Sequence, residues 1–118
     1  MTDRTTRVAL ISTDSYFRAV VKDVLASTGG AFTLGLDLTN SFSEFGEKEI
    51  QALRNYDPAL IVLDLESDPE LGVRFAQFIS EQSPDRRFIA AGPTLSQDLL
   101  LDAMRAGVAD YLLKPVAP

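Results

Sequence analysis

A carboxylate and an amine that could work together stand at the ends of two apolar runs. Asp64 lies near the end of ALIVLDL (59–65), and Lys114 directly follows ADYLL (109–113). An acid at the end of a buried strand, facing a lysine across a crevice, can accept a phosphoryl group. The carboxylate attacks phosphorus while the ammonium neutralises charge on the transferred oxygens. The same two residues can equally form an ordinary strand-end ion pair. Asp14, soon after VALI (8–11), and Glu66 bring further carboxylates to the same kind of position. Ser12, Thr13 and Gly92 are the other residues standing just past the ends of apolar runs.

Composition removes most other chemistries. The 118 residues contain no Cys and no His, so disulfides, thiolate metal sites and the commonest general base are excluded. A net charge of −6 argues against nucleic acid, whose phosphates call for clustered Lys and Arg. No run approaches the roughly 20 apolar residues of a membrane span. The polar start, residues 1–7, does not read as a secretory signal. A regulatory or docking module is expected here, not an enzyme.

The elements that must position these residues alternate regularly. Residues 8–11 and 59–65 read as buried strands, 87–91 and 109–113 as a fourth and a fifth strand, and FTLGLDL (32–38) as a strand nearer the sheet edge. Asp14 or Ser15 can cap a first helix with Phe17, Val21, Val24 and Leu25 inward, and Gly29-Gly30 stand at its close. A second helix covers 46–55 with Ile50 and Leu53 inward, its start undefined. Asp68-Pro69 starts a third, with Phe75, Phe78 and Ile79 as its buried stripe. Ser96 starts a fourth, running through Ala106 to Gly107, with Leu100 and Met104 inward. The order β-α-β-α-β-α-β-α-β predicts one α/β domain over 1–118, a doubly wound five-stranded parallel sheet. Such a domain usually has one more helix, so the chain is expected to be an N-terminal part of a longer protein. Leu99, Leu101 and Tyr111 are the expected contacts of a homodimer formed over the uncovered apolar edge.

Two segments carry a family resemblance. DPALIVLDLESDPELG (57–72) and AMRAGVADYLLKP (103–115) resemble the receiver domains of bacterial response regulators. There a strand ends in the phosphoaccepting Asp, a Gly follows eight residues on, and a helix, an Ala-Gly turn and a strand lead to Lys-Pro. The resemblance implies the flavodoxin-like (CheY-like) strand order 2-1-3-4-5, Asp64 as acceptor-like residue, Lys114 as its cation with Asp14 and Glu66 in support, and a cis Lys114–Pro115 bond. Departures accompany it. Ser12 and Thr13 stand where receivers carry two acids that hold Mg²⁺, leaving at most weak Mg²⁺ binding at Asp14 and Asp64. Gly92 stands where a switch Thr or Ser is expected, and Ser67-Asp68 where Met-Pro is usual.

Those departures, with the wording of LLLDAMRAGVADYLLKPVAP (99–118), resemble the atypical receivers of CpaE/TadZ-type Flp pilus-assembly proteins. That resemblance implies a bacterial, cytoplasmic protein working by protein contact at a cell pole, with a ParA/MinD-like ATPase following in the same polypeptide. Two alternatives stand beside it. One is a working phosphoaccepting receiver. The other is a flavodoxin-like ligand-binding domain, disfavoured because no glycine-rich phosphate loop follows the first strand.

Overall fold

A computed structural model describes residues 5–116. Met1–Arg4 of the polar start and Ala117–Pro118 of the closing segment lie outside the described residues. The elements are β1 (Thr6–Ile11), α1 (Ser15–Ala26), β2 (Phe32–Leu38), α2 (Glu47–Tyr56), β3 (Leu60–Asp64), α3 (Pro69–Gln82), β4 (Arg87–Gly92), α4 (Gln97–Arg105) and β5 (Val108–Leu113). All strand pairs are parallel and the order is β2-β1-β3-β4-β5, the flavodoxin-like arrangement expected. The described chain ends on β5 and the residues just after it, without a fifth helix.

Local chemistry explains the helix starts. Asp14 caps α1 by accepting from the Tyr16 and Phe17 amides, Asp68 caps α3 with Pro69 in the first turn, and Ser96 caps α4. Gly107, at φ 99°, ends α4 in the left-handed region that a side chain resists. The central strands are apolar on both faces because helices cover both. One face buries Ile61, Leu63, Phe88 and Ala90 under α2, α3 and α4; the other buries Val8, Leu10 and Val62 largely under Phe17 of α1. Towards β5 that second face is barer: Asp110 and Leu112, in register with Ile89 and Ala91, are exposed.

Three helical stripes differ from expectation. In α1 Val24 is exposed and Val20 is buried instead. In α3 Phe78 is 44% exposed, and Val73, Ala76 and Ile79 make the inward face. In α4 Leu100 and Met104 point outward, while Ala103 and Ala106 are buried and Leu99 packs against the core. Small residues let a helix sit close to the sheet, so the alanines face inward at the expense of the larger apolar side chains.

A 3₁₀ turn, Phe42–Glu44, was not visible in the sequence pattern. It buries Phe42 in an aromatic cluster with Phe45 and Phe75. Gly72 lies beneath: a Cβ there would fall 2.3 Å from Leu65 Cδ2 and 2.9 Å from Phe42 Cε2. This glycine serves close packing.

Candidate functional site

The sheet's carboxyl edge brings Ser12, Asp14, Asp64, Glu66 and Lys114 into one cluster. β1 and β3 are adjacent and in register, with Ile11 opposite Leu63, so Ser12 and Asp64 leave their strands side by side. Ser12 Oγ donates to Asp64 Oδ2 at 2.6 Å and accepts from the Asp14 amide at 3.0 Å. Asp64 Oδ1 accepts from the Glu66 amide at 3.0 Å. Lys114 leaves β5 with its amide bonded to the Gly92 carbonyl, and the Lys114–Pro115 bond is cis.

The lysine ammonium is the hub. Its Nζ lies 2.5 Å from Asp14 Oδ2, 3.1 Å from Asp64 Oδ2 and 3.3 Å from Glu66 Oε1. The Phe17 ring stands beneath it, with its centroid 5.2 Å away. Only 9% of the Lys114 side chain and 4% of the Asp64 side chain is exposed. The hydrogen bond from Lys114 lowers the Asp14 pKa against the opposing effect of burial, and the Tyr16 and Phe17 amides of its cap add to the lowering. Burial alone would lower the Lys114 pKa; the bonds and charges of Asp14, Asp64 and Glu66 outweigh it and raise the value. The ammonium is therefore fixed in its charged form at neutral pH.

The donor set does not fit Mg²⁺. A hard dication needs several charged or carbonyl oxygens free to converge on it. Here Asp14 Oδ1 caps α1, Asp14 Oδ2 faces the lysine, and Ser12 offers a hydroxyl already bonded to Asp64. Among the described residues, no group of three or more acidic, His or Cys side chains is arranged to hold a metal. Residues 14, 17, 66 and 114 with Tyr16, Pro115 and Val116 instead line an open cleft of about 260 Å³.

The remaining sequence candidates divide. Thr13 is exposed and outside the cluster. Gly92 is buried, and the space a side chain would take there holds the tip of Tyr111. Tyr111 is half-buried, with its hydroxyl donating to the Pro93 carbonyl. Leu99 is turned toward the core, whereas Leu101 is 41% exposed. The sequence reading missed the role of Phe17 under the lysine and that of Ser12 as a bridge. The pattern Ser-x-Asp ahead of a capped helix was the available signal for the second.

Comparison with known proteins places this geometry. No protein-family model matches the chain. It is 25% identical over 116 residues to a protein-glutamate methylesterase/protein-glutamine glutaminase of Thermotoga maritima, covering 98% of this chain and 32% of that protein. It is 22% identical over 109 residues to the chemotaxis protein CheY of Bacillus subtilis, covering 92% and 85%. Among solved structures, a response regulator from Thermotoga maritima superimposes with a TM-score of 0.75 at 24% identity, covering 96% and 87%. A CheY-like receiver domain protein from Methanospirillum hungatei gives 0.73 at 18% identity, covering 97% and 85%. These likenesses show the fold, the flavodoxin-like sheet of CheY-like receiver domains, and a chain similar in sequence to such domains. Among the described residues, no helix is long and apolar enough to cross a membrane.

Proposed function

We propose that this receiver domain acts by protein contact, with Asp64 held in a permanent ion pair and not cycled as a phosphoacceptor. The observation that carries this is the Lys114 ammonium seated among Asp14, Asp64 and Glu66, whose carboxylates it already engages. Phosphoryl transfer to Asp64 would form a carboxyl–phosphorus bond and break that to the donor's leaving group. With Mg²⁺ held weakly at most, one ammonium would have to neutralise most of the charge that develops. The second reading, a working phosphoacceptor, draws on the same Asp64–Lys114 contact at 3.1 Å. Incubation with Mg²⁺ and acetyl phosphate, followed by intact-mass measurement, separates the two. No phosphoryl adduct is expected, and an adduct mapped to Asp64 would establish the second reading.

The proposal extends to partners. The outward residues Leu100, Leu101 and Met104 of α4 favour a second copy of this chain as one of them, with Leu99 left out because it faces the core. Leu101→Glu should weaken self-association in sedimentation without altering the circular dichroism spectrum. A wild-type chain that stays monomeric at several hundred micromolar would remove the dimer from the proposal. The resemblance of 99–118 to CpaE/TadZ-type receivers favours a role in placing pilus-assembly machinery at a cell pole, beside a ParA/MinD-like ATPase. A fluorescent fusion spread evenly through the cytoplasm of its own host would argue against that placement.

A further inference from the structure

Among the described residues, one buried side-chain nitrogen has no hydrogen-bond partner: Nε of Arg86. The Arg86 side chain is 9% exposed, and its Nη2 donates to Asp57 Oδ1 at 2.9 Å. A buried N–H of a charged group without an acceptor is costly, so its persistence calls for a reason. The surroundings offer one. Arg86 lines a cleft of about 250 Å³ between α2 and α3, at the amino edge of the sheet, opposite the Asp64–Lys114 cluster. Ile50, Leu53 and Ile79 form its apolar part, and Arg54, Gln82 and Ser83 complete the lining. Two of the lining side chains are guanidiniums and none is a carboxylate. Arg54 Nη2 donates to Gln82 Oε1 at 3.3 Å, which leaves the Gln82 amide nitrogen as a donor. Neither guanidinium is spent on the carbonyls that end α2 and α3. The adjoining cleft differs. Arg86, Gln82 and Ser83 line it too, but it holds Asp57 and Asp85 beside Arg7, so its charges are matched.

We propose that the α2–α3 cleft is a binding site for a small carboxylate with an apolar body, held by Arg54 and Arg86. The guanidiniums take the carboxylate, and Ile50, Leu53 and Ile79 take the body. Unmatched positive charge in one cleft stands out in a chain whose net charge is −6. The Arg54–Gln82 bond is long and joins two exposed residues, so a ligand oxygen can replace it. Arg86 Nε is shielded from water, so an acceptor that reaches it gains a bond without displacing one. Inorganic phosphate would satisfy the arginines but leave the apolar part unfilled; a neutral ring would do the reverse. The proposal uses none of the residues of the Asp64–Lys114 cluster.

The test is a titration of the full nitrogen-labelled chain with benzoate at pH 7, followed at the backbone amides and the arginine Nε–H signals. Saturable shifts are expected at Ile50, Leu53, Ile79, Ser83 and the Arg86 Nε–H, with a dissociation constant of about 1 mM. Benzamide has nearly the same shape without the charge, and should bind about tenfold more weakly or not at all. Acetate and inorganic phosphate, which lack the ring, should also bind more weakly. Benzamide binding as tightly as benzoate would overturn the role of the arginines. Acetate or phosphate binding as tightly would overturn the apolar body, and the absence of saturable shifts in the cleft would overturn the site. Arg86→Lys keeps a cation for Asp57 and removes Nε; it should weaken benzoate about tenfold. Arg54→Gln changes an exposed side chain and should weaken benzoate similarly, with the rest of the spectrum intact. Unchanged affinity in Arg54→Gln would refute the proposal even if Arg86→Lys failed to fold.

Discussion

Two aspartates bracket β3, and their surroundings differ sharply. Asp57, three residues before the strand, is the left-handed C-cap of α2 at φ 53°. It has two arginines, Arg86 at 2.9 Å and Arg7 at 3.7 Å, yet its side chain is 66% exposed. Asp64, at the strand's other end, is 4% exposed and meets one cation, together with the Ser12 hydroxyl and the Glu66 amide. Water screens the first set of charges and is nearly absent from the second. The number of ion pairs is a poor guide to their worth; the access of water decides it.

Removing the cation from the buried end should have the largest effect. Lys114→Met keeps the length of the side chain and leaves Asp64 without a counter-charge, at a cost of about 3 kcal/mol in urea unfolding at pH 7. The pH profile should carry its signature. The Lys114 pKa is raised above its unfolded 10.5, so its contribution is complete below that pH and is lost as pH rises through the higher folded value. Asp14 is lowered below 3.8, so its contribution is present above 3.8 and is lost as pH falls through the lower folded value. Lys114→Met should therefore lack the lysine's share of the alkaline loss. If its stability profile above pH 10.5 parallels that of the wild type, the ion pair contributes little.

Asp14→Ala comes next, because it removes both a helix cap and a ligand of Lys114; about 1–2 kcal/mol is expected. Asp14→Ser should recover the capping share alone. A Ser variant as weak as the Ala variant would show that the lysine contact, not the cap, dominates. The smallest effect is expected at the exposed end. Asp57→Asn keeps a residue that tolerates the left-handed conformation and should cost less than about 0.5 kcal/mol, and less still in high salt. A loss as large as that of Lys114→Met would erase the distinction between the two aspartates.

Much of this was legible in the sequence because it is local. Short apolar runs marked four strands and alternation marked β2, and Asp14, Asp68 and Ser96 announced their helices. The placement of Asp64 and Lys114 at the same edge of the sheet, on the strands either side of β4, follows from the alternation of elements. What escaped depends on pairing between elements. The rotation of α4 was misread because Leu100 and Met104 are more apolar than Ala103 and Ala106, while closeness to the sheet favours the smaller residues. Phe42 reaches Gly72 from a turn with no periodic signal, and Gly92 acquires its meaning from Tyr111 on the next strand. Ser12 looked like a lost acid; its hydroxyl in fact joins Asp64 to the start of α1.

Asp14 engages its two carboxylate oxygens with different parts of the chain. Oδ1 takes amides of the adjoining helix turn, and Oδ2 takes the amine of a residue 100 positions later. A ribosome delivers these partners at very different times. α1 can be capped as soon as it emerges, but the carboxylates of Asp14 and Asp64 must wait in water until β5 and Lys114 leave the exit tunnel. The cluster at the sheet's carboxyl edge is thus the last part of the described chain to be completed during synthesis, and truncation before residue 114 leaves it without its cation.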